Sequence, residues 1–77
     1  MNKQDRAKLE KASALIEEAK NIIEEVKDGE QEKFDNLSEG LQQSERGQKF
    51  EENASTLEDV YNDLDNAMDN INGLIEE

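Results

Sequence analysis

The chain is 77 residues long, lacks Cys, His, Pro and Trp, and carries 21 Asp and Glu against 9 Lys and Arg, a net charge of −12. That length allows one small domain with a thin core, and the missing Cys and His exclude disulfides, thiol chemistry, most zinc sites and the usual general base near neutral pH. With 32% hydrophobic and 39% charged residues, order depends on the few apolar side chains falling where an element needs them.

They do so twice. Leu9, Ala12, Ile16, Ala19, Ile23 and Val26 recur at steps of three and four residues, which predicts a helix from about Lys3 to Asp35. Lys27–Lys33 holds no apolar side chain, and Gly29 could end the helix there as a C′ residue. Continuation is favoured, because Phe34 returns to the same face and Glu30 and Gln31 are good helix formers. Asn36, Ser38, Gly40 and Ser44 then cluster as turn formers and predict a loop over 36–44. Within it Ser38, followed by Glu39, can start one short turn carrying Leu41. Ser44 is a good N-cap with Glu45 well placed in the first turn, and it opens a second helix running to about Leu74. Phe50, Ala54, Leu57, Tyr61, Leu64, Met68, Ile71 and Ile75 repeat the same period there.

Read as heptads, the first helix has Leu9, Ile16 and Ile23 at a, and the second has Ala54, Tyr61, Met68 and Ile75 at a. The steps of three and four coincide only if the helices run antiparallel, so the fold class is an all-α antiparallel two-helix hairpin. Layers centred on Gly40 pair Leu9 with Ile71, Ala19 with Tyr61 and Val26 with Ala54; a register one heptad over is the alternative. At the e positions Arg6, Ser13, Lys20 and Lys27 face Glu51, Glu58, Asp65 and Asn72, basic against acidic, in exposed pairs worth about 0.2–1 kcal/mol each. The g positions invert this pattern with Leu15 and Ile22 on one helix and Val60, Ala67 and Leu74 on the other. A continuous apolar flank of this kind must be covered. Self-association into a dimeric four-helix bundle is the expected cover. The alternatives are Phe34, Leu37 and Leu41 folding back over one end, or a different protein.

Charge is one-sided. Residues 1–27 net zero, so residues 28–77 carry the whole −12, and no cation follows Glu51. Direct nucleic-acid binding is disfavoured, because phosphates need Lys and Arg. Glu51, Glu52, Glu58, Asp59, Asp63, Asp65 and Asp69 could present an acidic face to a protein with a basic surface, or could simply keep a small protein soluble. Asp63, Asp65, Asp69 and Asn70 lack the Gly and Glu positions of a calcium loop. No metal, cofactor or catalytic residue is expected: Tyr61 and Met68 read as core, and an anion site at Arg46 and Lys49 is a remote option. No run of apolar residues is long enough to span a bilayer, and without a signal-peptide pattern a cytoplasmic location is expected.

The stretch from Asp28 to Gly47 resembles a segment of small acidic proteins encoded by phages and prophages, whose usual form is E-E-Q-E-x-F-D-N-L/M-P-E-x-L-Q-x-S-E-R-G between two heptad-like helices. Phe34, Asp35, Asn36, Leu37, Leu41, Ser44, Glu45, Arg46 and Gly47 carry the match. Gly29 stands where Glu is common, and Ser38 where Pro is common, which leaves the loop less rigid. The resemblance implies a phage accessory protein acting in a bacterial cytoplasm and carries no activity with it. Two functions follow as expectations. One is a non-enzymatic interaction protein, such as an acidic inhibitor or mimic directed at a nucleic-acid-processing or defence protein. The other is a structural scaffold that uses its apolar flank.

Overall fold

The computed structural model describes residues Met1–Glu77 as three helices: α1 (Lys3–Asp35), α2 (Glu39–Gln42) and α3 (Glu45–Glu76). Asn2 caps α1, its side-chain oxygen accepting the Asp5 N–H at 2.7 Å. The helix runs through Gly29 without a break and ends at Asn36, whose N–H donates to the Glu32 carbonyl at 3.0 Å. No residue has a positive φ, so Gly29 does not serve as a left-handed stop. Ser44 caps α3 through the Gly47 N–H at 3.3 Å, and α3 continues two residues past the expected end. Leu41 lies in the short turn α2, as the Ser38–Glu39 start suggests.

α1 and α3 pack along their length as an antiparallel hairpin, a rod of 58 × 14 × 13 Å. Both apolar stripes line the seam. Leu9, Ala12, Ile16, Ala19 and Ile23 of α1 are half-buried, as are Phe50, Leu57, Tyr61, Leu64, Met68, Ile71 and Ile75 of α3. Ala54 is the one fully buried hydrophobic residue. Two helices can shield only one side of each other's stripe, so a hairpin of this kind has a seam and no enclosed core.

Cross-helix contacts fix the register. Arg6 Nη2 donates to the Glu77 carbonyl at 2.8 Å, Asn53 Nδ2 donates to Glu30 at 3.4 Å, and Lys20 Nζ lies 5.0 Å from the centre of the Tyr61 ring. Side chains lean toward the N-terminus of their own helix, so these pairs slant, and all three fit layers centred on Gly40. The alternative register would part Lys20 from Tyr61 by about 9 Å along the axis.

Two expectations need correction. Val26, expected in the seam, is 49% exposed, because it sits at the edge of the seam and lines an open groove with Glu30, Asn53 and Leu57. Leu41, considered as a lid over the loop end, is 55% exposed, whereas Phe34 and Leu37 are half-buried. One short turn turns its only leucine outward when its backbone is what packs on α3.

Candidate functional site

The seven candidate carboxylates divide into two groups. Asp65 accepts from Lys20 Nζ at 2.6 Å and Glu58 from Lys27 Nζ at 2.8 Å. With Ser13 Oγ donating to Asn72 Oδ1 at 2.8 Å, these form a ladder repeating every seven residues along the e edges. Glu58 and Asp65 therefore belong to the hairpin's own packing. Glu51, Glu52, Asp59, Asp63 and Asp69 are exposed and form no ion pair. They line the outer side of α3 from Glu51 to Asp69, about 27 Å of helix.

Lys20 is the residue that sequence reasoning undervalued. Expected in an exposed pair, it is only 5% exposed, because its stem lies along the seam and its ammonium sits over Tyr61 while reaching Asp65. The hydrogen bond to Asp65 holds its pKa above the ordinary lysine value, and the bond to Glu58 does the same for Lys27. Glu30 is held below the ordinary glutamate value by hydrogen bonds from Lys33 at 3.1 Å and Asn53. The signal for Lys20 was available: an e-position lysine one residue from the layer partner of Tyr61. The central cations of α1 are thus spent inside the hairpin, and the acids on the outer side of α3 are left without ion pairs.

The residues of the loop motif act together at the turn. Gln42 Nε2 donates to the Phe34 carbonyl at 3.2 Å, and Ser44 Oγ donates to the Leu41 carbonyl. Gly47 is buried; a Cβ there would come within 2.5 Å of the Leu41 and Gln42 carbonyl oxygens. It is glycine because the backbone of α2 rests on it. Lys33 and Arg46 flank the Phe50 ring at 5.8 and 5.6 Å. Glu45 opens α3 at its positive end, while Asp35 accepts from Gln31 at 3.0 Å and Asn36 closes α1. Most residues of the motif thus have a local structural task, Leu41 through its backbone carbonyl.

Leu15, Ile22 and Leu74 are 55%, 61% and 43% exposed. Ala67 is also exposed and Val60 is half-buried. The expected self-association residues therefore form an apolar strip that the hairpin itself leaves open. The grooves along the rod hold no enclosed ligand site: the largest, about 520 Å³ between Glu45 and Glu52, has Phe50 as its one hydrophobic lining residue. No three acidic side chains converge to hold a metal ion, and no helix is long and apolar enough to cross a membrane. No protein family, curated protein or solved structure matches the chain.

Proposed function

We propose that this protein is a non-enzymatic accessory protein of phage type that acts by docking the outer side of α3 onto a protein with a basic surface. The observation that carries the reading is the separation of charge: Lys20 and Lys27 are spent on internal pairs, and Glu51, Glu52, Asp59, Asp63 and Asp69 are exposed and form no ion pair. Such a surface steers basic partners toward it. A nucleic-acid-processing or defence protein is the partner this surface suits, because an acidic rod competes with phosphates for a basic surface. The charge spacing sets a limit on mimicry. A net charge of −12 on a rod 58 Å long is about one charge per 5 Å, against about one per 1.7 Å of duplex DNA.

The test is capture from a bacterial extract by the wild-type protein and by E51Q/E52Q/D59N/D63N/D69N, with partners quantified across a salt series. The expected result is a partner set bound by the wild type at low salt, released as salt rises and absent from the variant. A set that is empty, or shared equally by the variant, overturns the reading. The scaffold alternative rests on the exposed apolar strip. It predicts the converse, capture that survives these substitutions and is lost in L15E/V60E.

A further inference from the structure

The acidic reading leaves the apolar strip without a role. The seam register puts Leu15 nearly level with Ala67 and Ile22 nearly level with Val60, two apolar rungs about 10 Å apart along the rod. Val26 lies just beyond the second rung and is itself half exposed. Ala19 and Leu64 fill the seam behind them, so the strip is one continuous surface.

We propose that a second copy of the chain covers this strip, forming a dimeric four-helix bundle. Area is the first argument. The chain exposes 5688 Å², whereas a compact chain of 8.8 kDa exposes about 4,800 Å². The surplus of about 900 Å² comes from the rod's elongated shape, and a second rod laid alongside removes area of that order, comparable with the roughly 800 Å² that each partner contributes to a stable interface. The second argument is that the strip is complementary to itself. A twofold axis crossing the rod midway between the rungs sets Leu15 and Ala67 of one copy on Ile22 and Val60 of the other, the reciprocal contact a twofold dimer requires.

The rim obeys the same symmetry. Lys11 and Glu25 lie seven residues either side of Glu18 on the edge of α1 next to the strip, are exposed, and have no ion-pair partner within the chain. The same axis brings Lys11 of each copy to Glu25 of the other. Glu18 on α1 and Asp63 on α3, at the midpoints of the two edges, each meet their own counterpart and are the like-charge contacts. Glu52, Asp59 and Asp69 stay outside. The pairing stands independently of the acidic-surface reading. Where both hold, doubling the charge on nearly the same length brings its spacing to about 2.4 Å, near that of duplex DNA.

The test is sedimentation of the purified full chain across a dilution series at low and high salt, with helicity followed by circular dichroism. A mass of about 18 kDa, twice 8.8 kDa, is expected. Its dissociation constant should fall or hold as salt rises, because the contact is apolar and the two copies repel. L15E/I22E should give the monomer mass. Because that variant could also lose its fold, K11E and E25K are tested singly. Each touches only the exposed rim and should weaken association roughly ten-fold, counting two symmetric contacts, and K11E/E25K should restore it. A mass of 8.8 kDa at every concentration, a mass above the dimer, or a double swap that fails to restore association overturns the proposal. The five-residue acidic variant keeps the dimer mass, so the two readings fail separately.

Discussion

Replacing Gly47 with alanine should destabilise the hairpin, although alanine is the better helix residue. Gly47 is the third residue of α3, and a Cβ added to it would lie 2.5 Å from the carbonyl oxygens of Leu41 and Gln42 and 2.7 Å from the Gln42 carbonyl carbon. All three are backbone atoms, so α2 must move as a unit to relieve the overlap. It is held by the Gln42 bond to Phe34 and the Ser44 bond to Leu41. Overpacking costs about 1–3 kcal/mol, and an overlap with three backbone atoms takes the upper part of that range, about 2–3 kcal/mol. The gain in helix propensity returns about 1 kcal/mol. A net loss of about 1–2 kcal/mol is expected, a fall in Tm of about 4–16 °C for a domain of this size. Gly29 supplies the control, since a Cβ there meets nothing within 4 Å. G29A should therefore gain up to about 1 kcal/mol and raise Tm. Melting is followed by circular dichroism at one fixed protein concentration, because assembly makes Tm depend on concentration. If G47A melts at or above the wild type, the close approach of α2 to α3 is wrong.

Ser44→Ala should cost about 1 kcal/mol by removing the cap on Gly47, read as a drop in urea midpoint with unchanged slope. Neutralising Asp65 (D65N) should lower the midpoint by weakening its bond to Lys20. D59N, which touches no cation, should stay within about 0.5 kcal/mol of the wild type, and equal effects would refute the division of the acids. Lys20 and Lys27 titrate higher in the folded state than the ordinary 10.5. Their contribution is therefore complete below about pH 10.5 and is lost as pH rises through the folded values. The wild type should lose stability above that pH more steeply than K20M/K27M, and identical urea midpoints across the range would refute it. Glu30 behaves oppositely. Its folded pKa is lowered, so its contribution is present above the ordinary glutamate range and is lost in acid; the acid-side loss should be smaller in E30Q.

Helix boundaries were legible because they are local. The three-and-four spacing, the Ser44 cap and the missing proline place α1, the turn and α3 within about two residues, and Phe34 correctly carries α1 past Gly29. The antiparallel sense and the e-edge ladder were legible too, since steps of three and four and opposite charges can match in only one direction. The two groups of acids were harder to separate. The e positions set Glu58 and Asp65 opposite cations, but Glu51 reads the same way and forms no ion pair, because which e-edge acid meets a lysine depends on the register, a long-range property of the packed pair.

What the sequence determined by itself is the amphipathic period, and with it an all-helical hairpin with one salt-bridged and one apolar edge. The tertiary structure decided how far each side chain is covered. Lys20 is almost fully buried and Val26 half exposed, against their chemistry, because burial depends on what lies alongside: the Tyr61 ring and Asp65 for one, the edge of an open groove for the other. It likewise decided that Gly47 must lack a side chain, since the space it leaves is filled by a backbone five and six residues away. Hydrophobic period is written along one strand of sequence, but contact is a property of two, and only the packed pair fixes it.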